Sequence, residues 1–87
     1  MVARFIRHDN PFAARLFLEA AYDTFEFLVR NPGGGRQRAD LGFPEIRSRR
    51  VEGFPRYLVF YRELPDRIPI WRVLHGVRDL HQTLGGP

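Results

Sequence analysis

The apolar residues of the first third of the chain follow a helical period. From Pro11 to Arg30 they recur three or four positions apart, with Thr24 in the single gap, at Ala13, Leu16, Phe17, Ala20, Phe27 and Leu28. Asn10 can cap this helix through its side-chain oxygen, and Pro11 suits the first helical position because its φ is preset. A proline and three glycines at positions 32–35 then end the helix. The spacing therefore predicts an amphipathic helix over residues 11–30, preceded by a short helical stub within residues 1–8.

After the glycines the period changes to that of β-strands. Three strands are predicted, over residues 46–52, 56–63 and 68–75, and the last two are rich in Val, Ile, Leu, Tyr and Trp. The connections between them are short, so consecutive strands should be antiparallel neighbours. The middle strand is apolar on both faces at residues 57–61, which suits a central strand covered by the helix on one side. Pro69 cannot donate to a strand ladder, so the third strand should be an edge or carry a bulge at that point.

These elements predict an α+β fold in which the helix packs on a curved, antiparallel, three-stranded meander. Residues 77–84 have room for no more than a terminal turn or two. The chain has 87 residues, enough for a single domain, and 44% of them are hydrophobic against 28% charged, as in folded proteins. It contains no run of about 18 apolar residues, so no membrane span is predicted and we expect a cytoplasmic protein.

The composition narrows the chemistry available to the chain. It has no Cys, which excludes a disulfide framework, a Cys-ligated zinc and a thiol nucleophile. All 14 basic residues are Arg, against 10 acidic residues, and the net charge of +4 indicates an anionic partner, either nucleic acid or an acidic protein segment. No cofactor or metal is expected, since His8, His75 and His81 lie in separate segments without carboxylates at ligand spacing.

The most prominent chemical feature is a set of arginines in the second half of the chain. Its members are Arg36, Arg38, Arg47, Arg49, Arg50, Arg56, Arg62, Arg72 and Arg78. On a strand, Arg47 and Arg49 share one face while Ile46 and Ser48 share the other. Guanidinium groups bind phosphates and carboxylates bidentately, so such a row suits a nucleic-acid backbone or a carboxylate-rich peptide. The alternative is a solvated strand face in a protein whose genome favours Arg codons, and composition alone does not decide between the two.

Two other features invite a catalytic interpretation. The three glycines before Arg36 lack the preceding strand and the following Lys-Ser/Thr of a phosphate-binding loop, so they are interpreted as a helix stop. Metal-free RNA cleavage needs a base, an acid and cations for the phosphorane, and the chain has ample cations but only His81 as a candidate proton donor. Tyr57, Tyr61 and Trp71 could stack on bases, yet their position inside apolar strands favours the core.

Several motifs of the chain occur together in one known family. The most specific are Tyr-Leu-Val-Phe-Tyr-Arg at residues 57–62 and Arg-Val-Leu-His-Gly-Val-Arg-Asp-Leu at residues 72–80. Shorter ones precede them, namely Asn10-Pro11-x-Ala13-Ala14, Asn31-Pro32, Gly35-Arg36 and Leu41-Gly42. In this order and at this spacing, the motifs resemble the ParE branch of the RelE/ParE superfamily of type II toxins over nearly the whole chain.

The resemblance implies a toxin that is held inactive by an antitoxin encoded beside it. Such an antitoxin carries an acidic, amphipathic tail that wraps around the toxin. ParE-like members trap the cleaved complex of DNA gyrase and are not nucleases, whereas RelE-like members cleave ribosome-bound mRNA. The predicted interaction surface consists of Arg36, Arg47, Arg49, Arg72, Arg78, Asp79 and Leu80.

The resemblance to the nuclease branch is incomplete. Arg47 and Arg49 match the basic strand of the RelE-like nucleases, and Arg78 matches one of their arginines. However, Leu58 stands where those nucleases carry an arginine, and Leu84 falls near their C-terminal tyrosine. ParE-like action is therefore favoured, and a nuclease would instead depend on Arg49, Arg78 and His81.

The start of the chain departs from the family pattern. Members usually begin with a β-strand and a longer first helix that forms a hairpin with the second, whereas Met1 here falls inside that first helix. The sheet should then lack one strand, leaving an unpaired edge or uncovered apolar surface. This suggests a third alternative, a truncated remnant that binds antitoxin without being toxic.

Overall fold

The computed structural model describes residues 11–76, which form one α-helix packed on one antiparallel sheet. The elements are α1 (Pro11–Arg30), β1 (Arg36–Arg38), β2 (Phe43–Val51), β3 (Phe54–Arg62) and β4 (Ile70–His75). Two 3₁₀ turns, Pro32–Gly34 and Ala39–Leu41, flank β1. The strands follow each other in the order β1-β2-β3-β4, each antiparallel to the next, so the predicted α+β meander is confirmed.

The sheet has one strand more than the sequence predicts. The three predicted strands correspond to β2, β3 and β4, although β2 begins earlier, at Phe43. β1 has the sequence Arg-Gln-Arg, which contains no apolar residue and therefore gives no alternating pattern. It pairs with β2, where Arg36 faces Ser48 and Gln37 faces Arg47. The predicted count of three strands is therefore wrong for the described sheet, which has four.

Pro69 determines where the last strand begins, because it has no backbone N–H to donate to a strand ladder. β4 begins at Ile70 rather than at residue 68, and it forms one edge of the described sheet. The Pro69 carbonyl accepts a hydrogen bond from the Arg62 amide at 3.1 Å. The register between β3 and β4 also shifts between Phe60 and Tyr61. The prediction that the strand is an edge or carries a bulge near this proline is therefore confirmed.

The helix has the predicted bounds, and its buried face coincides only in part with the predicted stripe, at Phe17, Thr24 and Leu28. Its buried residues are Ala14, Phe17, Ala21, Thr24 and Leu28. Two members of the predicted stripe, Leu16 and Phe27, are instead 44% and 36% exposed. Both sets recur every three or four positions because apolar residues occupy a wide arc of this helix. The buried face is the one with the small side chains of Ala14 and Ala21, which let the helix approach the sheet closely.

Apolar residues pack on both faces of the sheet. The cluster on the face that carries α1 contains Phe17, Leu28, Val51, Val59 and Tyr61. A smaller cluster on the opposite face, called here the far face, contains Ile46, Phe60 and Leu74. β3 contributes to both clusters, as the apolar run at residues 57–61 predicts for a central strand.

The predicted helical stub and terminal turn fall in residues 1–10 and 77–87, outside the described residues. The expectation that the first strand of the family is missing concerns the same start of the chain and stays a prediction. Within residues 11–76, no helix has the length and apolar content that a membrane span requires.

Candidate functional site

A cleft on the far face of the sheet gathers several of the arginines. It has a volume of about 860 Å³ and receives residues from all four strands. Its lining consists of Arg36, Arg38, Ser48, Arg49, Arg50, Pro55, Arg56, Leu58, His75 and Gly76. Five of these residues are arginines and none is acidic. We call this site the arginine cleft.

The pleat of the strands and their register bring these side chains together. Side chains alternate between the two faces of a strand, so Ser48 and Arg50 of β2 lie on the same face as Arg56 and Leu58 of β3. The register places Arg50 opposite Leu58, and β1 adds Arg36 opposite Ser48. The alternation can be read from the sequence, whereas the register that joins three strands into one site cannot.

Arg38 anchors one side of the cleft. Its side chain is only 9% exposed, and its Nη1 donates to Ser48 Oγ at 2.9 Å. Its Nε and Nη2 donate to the two carboxylate oxygens of Asp40, each at 3.1 Å. The guanidinium carbon also lies 5.8 Å from the centroid of the Phe60 ring. Because these contacts hold the guanidinium in place, Arg38 fixes β1 on the sheet and shapes the wall of the cleft.

Asp40 partly neutralises the rim of the cleft. Its Oδ2 also accepts a hydrogen bond from Arg36 Nη2 at 3.2 Å. The hydrogen bond from Arg38 lowers the pKa of the Asp40 carboxyl, and the positive charges of Arg38 and Arg36 act in the same direction, against a smaller opposing effect of desolvation. Asp40 is ionised at neutral pH, and its carboxylate competes with any bound anion for Arg36.

Several further arginines on the far face are exposed, and three of them are Arg50, Arg56 and Arg72. Arg50 and Arg56 line the cleft, and Arg72 lies opposite Phe60 on β4. Within residues 11–76 none of the three makes an ion pair or side-chain hydrogen bond. Arg50 and Arg56 are absent from the predicted interaction surface, although the alternation of β3 around Leu58 would have placed Arg56 on this face.

Arg47 and Arg49 lie on the other side of the sheet, facing α1. They share a face as predicted, and Ile46 and Ser48 are buried on the far face. Arg47 Nη1 donates to the Gly35 carbonyl at 2.8 Å, and its Nε lies 3.4 Å from a carboxylate oxygen of Glu63. Arg49 Nη1 donates to the Gly34 carbonyl at 2.8 Å. The predicted role of these two arginines in partner binding stays a prediction, and their described contacts are with the glycine segment.

The Arg49 guanidinium has a second contact on the helix side. Its central carbon lies 4.0 Å from the centroid of the Phe27 ring, within the range of a cation–π interaction. Phe27 belongs to the last turns of α1, so Arg49 joins the helix, the glycine segment and β2. Arg49 also lines the cleft, while its guanidinium contacts the Gly34 carbonyl and the Phe27 ring on the helix side.

The aromatic residues divide between the core and the surface. Tyr61 is fully buried, as predicted, whereas Trp71 is 41% exposed, so its placement in the core is wrong. Trp71 lies at the register shift of the edge strand, 6.0 Å from the Phe60 ring and 6.2 Å from the Phe43 ring. With Phe43 and Ile70 it lines a separate apolar cavity of about 430 Å³.

The remaining predicted site residues lie at the undescribed end of the chain, and His75, which is not among the predicted site residues, borders the cleft. His75 lines the cleft, and its ring packs edge-on against Tyr57 at 5.2 Å. Arg78, Asp79, Leu80 and His81 lie outside the described residues. Among residues 11–76, no cluster of three or more His, Asp or Glu side chains could hold a metal ion.

The comparison with known families identifies the chain. Residues 2–80 match the family described as "ParE toxin of type II toxin-antitoxin system, parDE". No match is found among curated proteins or among solved structures. The matched region includes the whole described fold, with α1, the glycine segment and all four strands. The chain therefore belongs to the ParE toxin family of type II toxin–antitoxin systems.

Proposed function

We propose that this chain is a cytoplasmic toxin that binds DNA gyrase and traps its cleaved DNA complex, without cleaving nucleic acid itself. Membership of the ParE toxin family supports the pairing with a cognate antitoxin. The choice of gyrase as the target follows from the resemblance to the ParE branch.

The position of Arg49 favours partner binding over catalysis. A nuclease of the RelE type would need this arginine on the scissile phosphate. Its guanidinium instead donates to the Gly34 carbonyl at 2.8 Å and lies over the Phe27 ring, on the face of the sheet that packs against α1. Leu58, an apolar side chain, lines the cleft at the position where the resemblance expects a cation in those nucleases. The arrangement favours a surface that binds a partner.

The exposed surface of α1 supports an amphipathic antitoxin. The helix exposes five large apolar side chains, Phe12, Leu16, Tyr22, Phe27 and Val29. Apolar patches of this kind mark protein interaction sites, and an amphipathic segment can lay its apolar face on them. The net charge of +4 attracts an acidic segment. We propose that the antitoxin covers this apolar surface with an acidic tail.

A gyrase assay with purified components tests the proposed target. Gyrase, ATP and relaxed plasmid are incubated with the full chain, and the reaction is stopped with detergent and protease. We expect loss of supercoiling and accumulation of linear DNA, both reversed by the cognate antitoxin. Unchanged supercoiling at a large molar excess of toxin would contradict the proposal. Absence of growth arrest on induction in cells would instead support an inactive protein that only binds antitoxin.

One observation favours an mRNA endoribonuclease as the second candidate. Arg36, Arg50 and Arg56 line one cleft, so several cations that could bind a phosphate lie together there, and the predicted proton donor is His81, outside the described residues. Imidazole is the side chain best suited to proton transfer near neutral pH. Cuts in cellular mRNA on induction, lost in Arg78→Ala, would support this candidate. Such cuts without linear DNA in the gyrase assay would replace the first proposal.

A further inference from the structure

We propose that the arginine cleft binds the phosphodiester backbone of duplex DNA. The proposal rests on the proposed function, because a toxin that traps the cleaved complex of gyrase meets DNA held by that enzyme. It assigns to the cleft a ligand that the family match does not name.

The charges of the cleft fit a polyanion. Arg36, Arg50 and Arg56 come from three different strands and converge on one side of the sheet. No Asp or Glu lines the cleft, and within residues 11–76 neither Arg50 nor Arg56 has an ion-pair partner. Guanidinium groups bind phosphate oxygens bidentately and stay charged at all physiological pH values. At about 860 Å³ the cleft admits groups much larger than a small ion.

The lining fits a phosphate backbone better than an acidic peptide. A peptide segment is recognised through sockets for its apolar side chains as well as through charge. The cleft has two apolar side chains, Pro55 and Leu58, among its lining residues. The exposed apolar side chains of α1 belong to the helix, which packs on the opposite face of the sheet from these arginines. The exposed apolar side chains of α1 are therefore separated from the arginine cleft by the sheet.

The lining also favours a duplex over a single strand. Proteins that bind single-stranded RNA or DNA stack the exposed bases on aromatic rings. No Phe, Tyr or Trp lines the cleft, and the exposed Trp71 and Phe43 line another cavity. In a duplex the bases stay stacked on each other. A protein that does not recognise a particular sequence contacts mainly the phosphates. A cleft of arginines without rings matches that ligand.

The test measures binding of a short labelled DNA duplex to the full chain by fluorescence anisotropy, across a range of salt concentrations. The logarithm of the affinity falls with the logarithm of salt concentration, with a slope of about 0.9 for each phosphate neutralised. Replacing both Arg50 and Arg56 by Ala should weaken binding about tenfold at low salt and reduce the slope by about 2. Replacing both by Lys should keep most of the slope, since the charges remain.

The matched control removes the same charge from the other side of the molecule. Arg15 and Arg30 are exposed on α1, and within residues 11–76 they make no ion pair. The double variant Arg15→Ala, Arg30→Ala should bind DNA nearly as well as the wild type. Thermal unfolding followed by circular dichroism shows whether each variant is folded. Equal loss in both double variants would overturn the proposal, because it would indicate attraction by net charge alone.

Two further ligands separate the alternatives. A single-stranded RNA of the same length and a Glu-rich peptide should each bind more weakly than the duplex. Tighter binding of either through Arg50 and Arg56 would overturn the choice of duplex DNA.

The gyrase assay separates failure of this inference from failure of the proposed function. Gyrase trapping by a wild-type chain that does not bind DNA would overturn the inference alone. Cleft-dependent DNA binding without any effect on gyrase would support the inference and contradict the proposed target.

Discussion

The hydroxyl of Tyr61 accepts a hydrogen bond from the Gly35 amide at 2.8 Å. The same hydroxyl donates to the Pro32 carbonyl, also at 2.8 Å, and the side chain is fully buried. Tyr61 therefore fixes both ends of the segment that connects α1 to β1. Because β1 follows directly, this contact on the helix face determines where Arg36 enters the cleft on the far face.

Replacing Gly35 by Ala should destabilise the fold. A Cβ at this position would lie 2.6 Å from the Tyr61 hydroxyl and 2.8 Å from the Ser48 carbonyl oxygen, and the second neighbour is backbone that cannot easily move. We expect the free energy of unfolding to fall by about 1–3 kcal/mol, as for overpacked sites. Urea denaturation measures this free energy of unfolding.

The neighbouring glycine provides the control for this prediction. A Cβ at Gly33 would have no heavy atom within 4 Å, so Gly33→Ala should leave the free energy of unfolding nearly unchanged. Equal stability of the two variants would show that the close approach of Gly35 and Tyr61 is not a constraint on the fold.

The sequence predicts well the elements whose pattern is local. The bounds of α1 follow from the Asn10-Pro11 start and the glycine stop, and the antiparallel order of β2, β3 and β4 follows from short connections. β1 could not be predicted in this way, because its three residues are polar. Its position depends on contacts with distant residues, above all Arg38 with Ser48, ten positions away.

The candidate site was harder to predict than the fold because an arginine can serve two purposes. Arg49 and Arg50 are neighbours in the chain, yet the pleat places the first against Phe27 and the second in the cleft. The amino-acid composition does not distinguish these two arginines. Only the assignment of the helix to one face of the sheet distinguishes the arginine that holds the fold from the one that faces the cleft.

Replacing Tyr61 by Phe should cost stability without changing the shape of the core. The change leaves the Gly35 amide and the Pro32 carbonyl without their buried partner, which costs about 1–3 kcal/mol. Chemical denaturation measures the loss, and Tyr22→Phe is the control because Tyr22 is 61% exposed. If the free energy of unfolding fell equally in both variants, the buried hydrogen bonds of Tyr61 would not be the cause of the loss.

The stability of the wild type should also decline at alkaline pH through Tyr61. Burial raises the pKa of the Tyr61 hydroxyl above its ordinary value of 10.0, against smaller effects of the Gly35 hydrogen bond and nearby arginines. The folded state then favours the neutral phenol, so this contribution is complete below pH 10.0 and is lost as pH rises through the pKa of the folded state. Tyr61→Phe should lack this alkaline component. Parallel pH profiles of the two proteins would contradict the prediction.

Arg49 and Phe27 should be energetically coupled. The 4.0 Å contact between the guanidinium and the ring predicts a coupling of about 0.5–1 kcal/mol, as for partly exposed cation–π pairs. A double-mutant cycle with Phe27→Leu and Arg49→Met, followed by urea denaturation, isolates this coupling. The control cycle pairs Val29→Ala with Arg49→Met, because Val29 is 66% exposed. Coupling energies of equal size in the two cycles would show that the contact is not specific.

Replacing Asp40 by Asn should strengthen binding of DNA to the cleft. The Asp40 carboxylate is ionised at neutral pH, with its pKa lowered further by Arg38, and it accepts a hydrogen bond from Arg36 at 3.2 Å on the rim. Asn keeps the shape and one acceptor but removes the competing charge, so Arg36 becomes available for a phosphate. We expect severalfold tighter binding of the duplex and a salt slope larger by about 0.9. Asp23→Asn makes the same change of net charge on the exposed surface of α1 and should have a much smaller effect. If the two variants bound equally tightly, net charge would account for the gain, and Asp40 would not regulate access to the cleft.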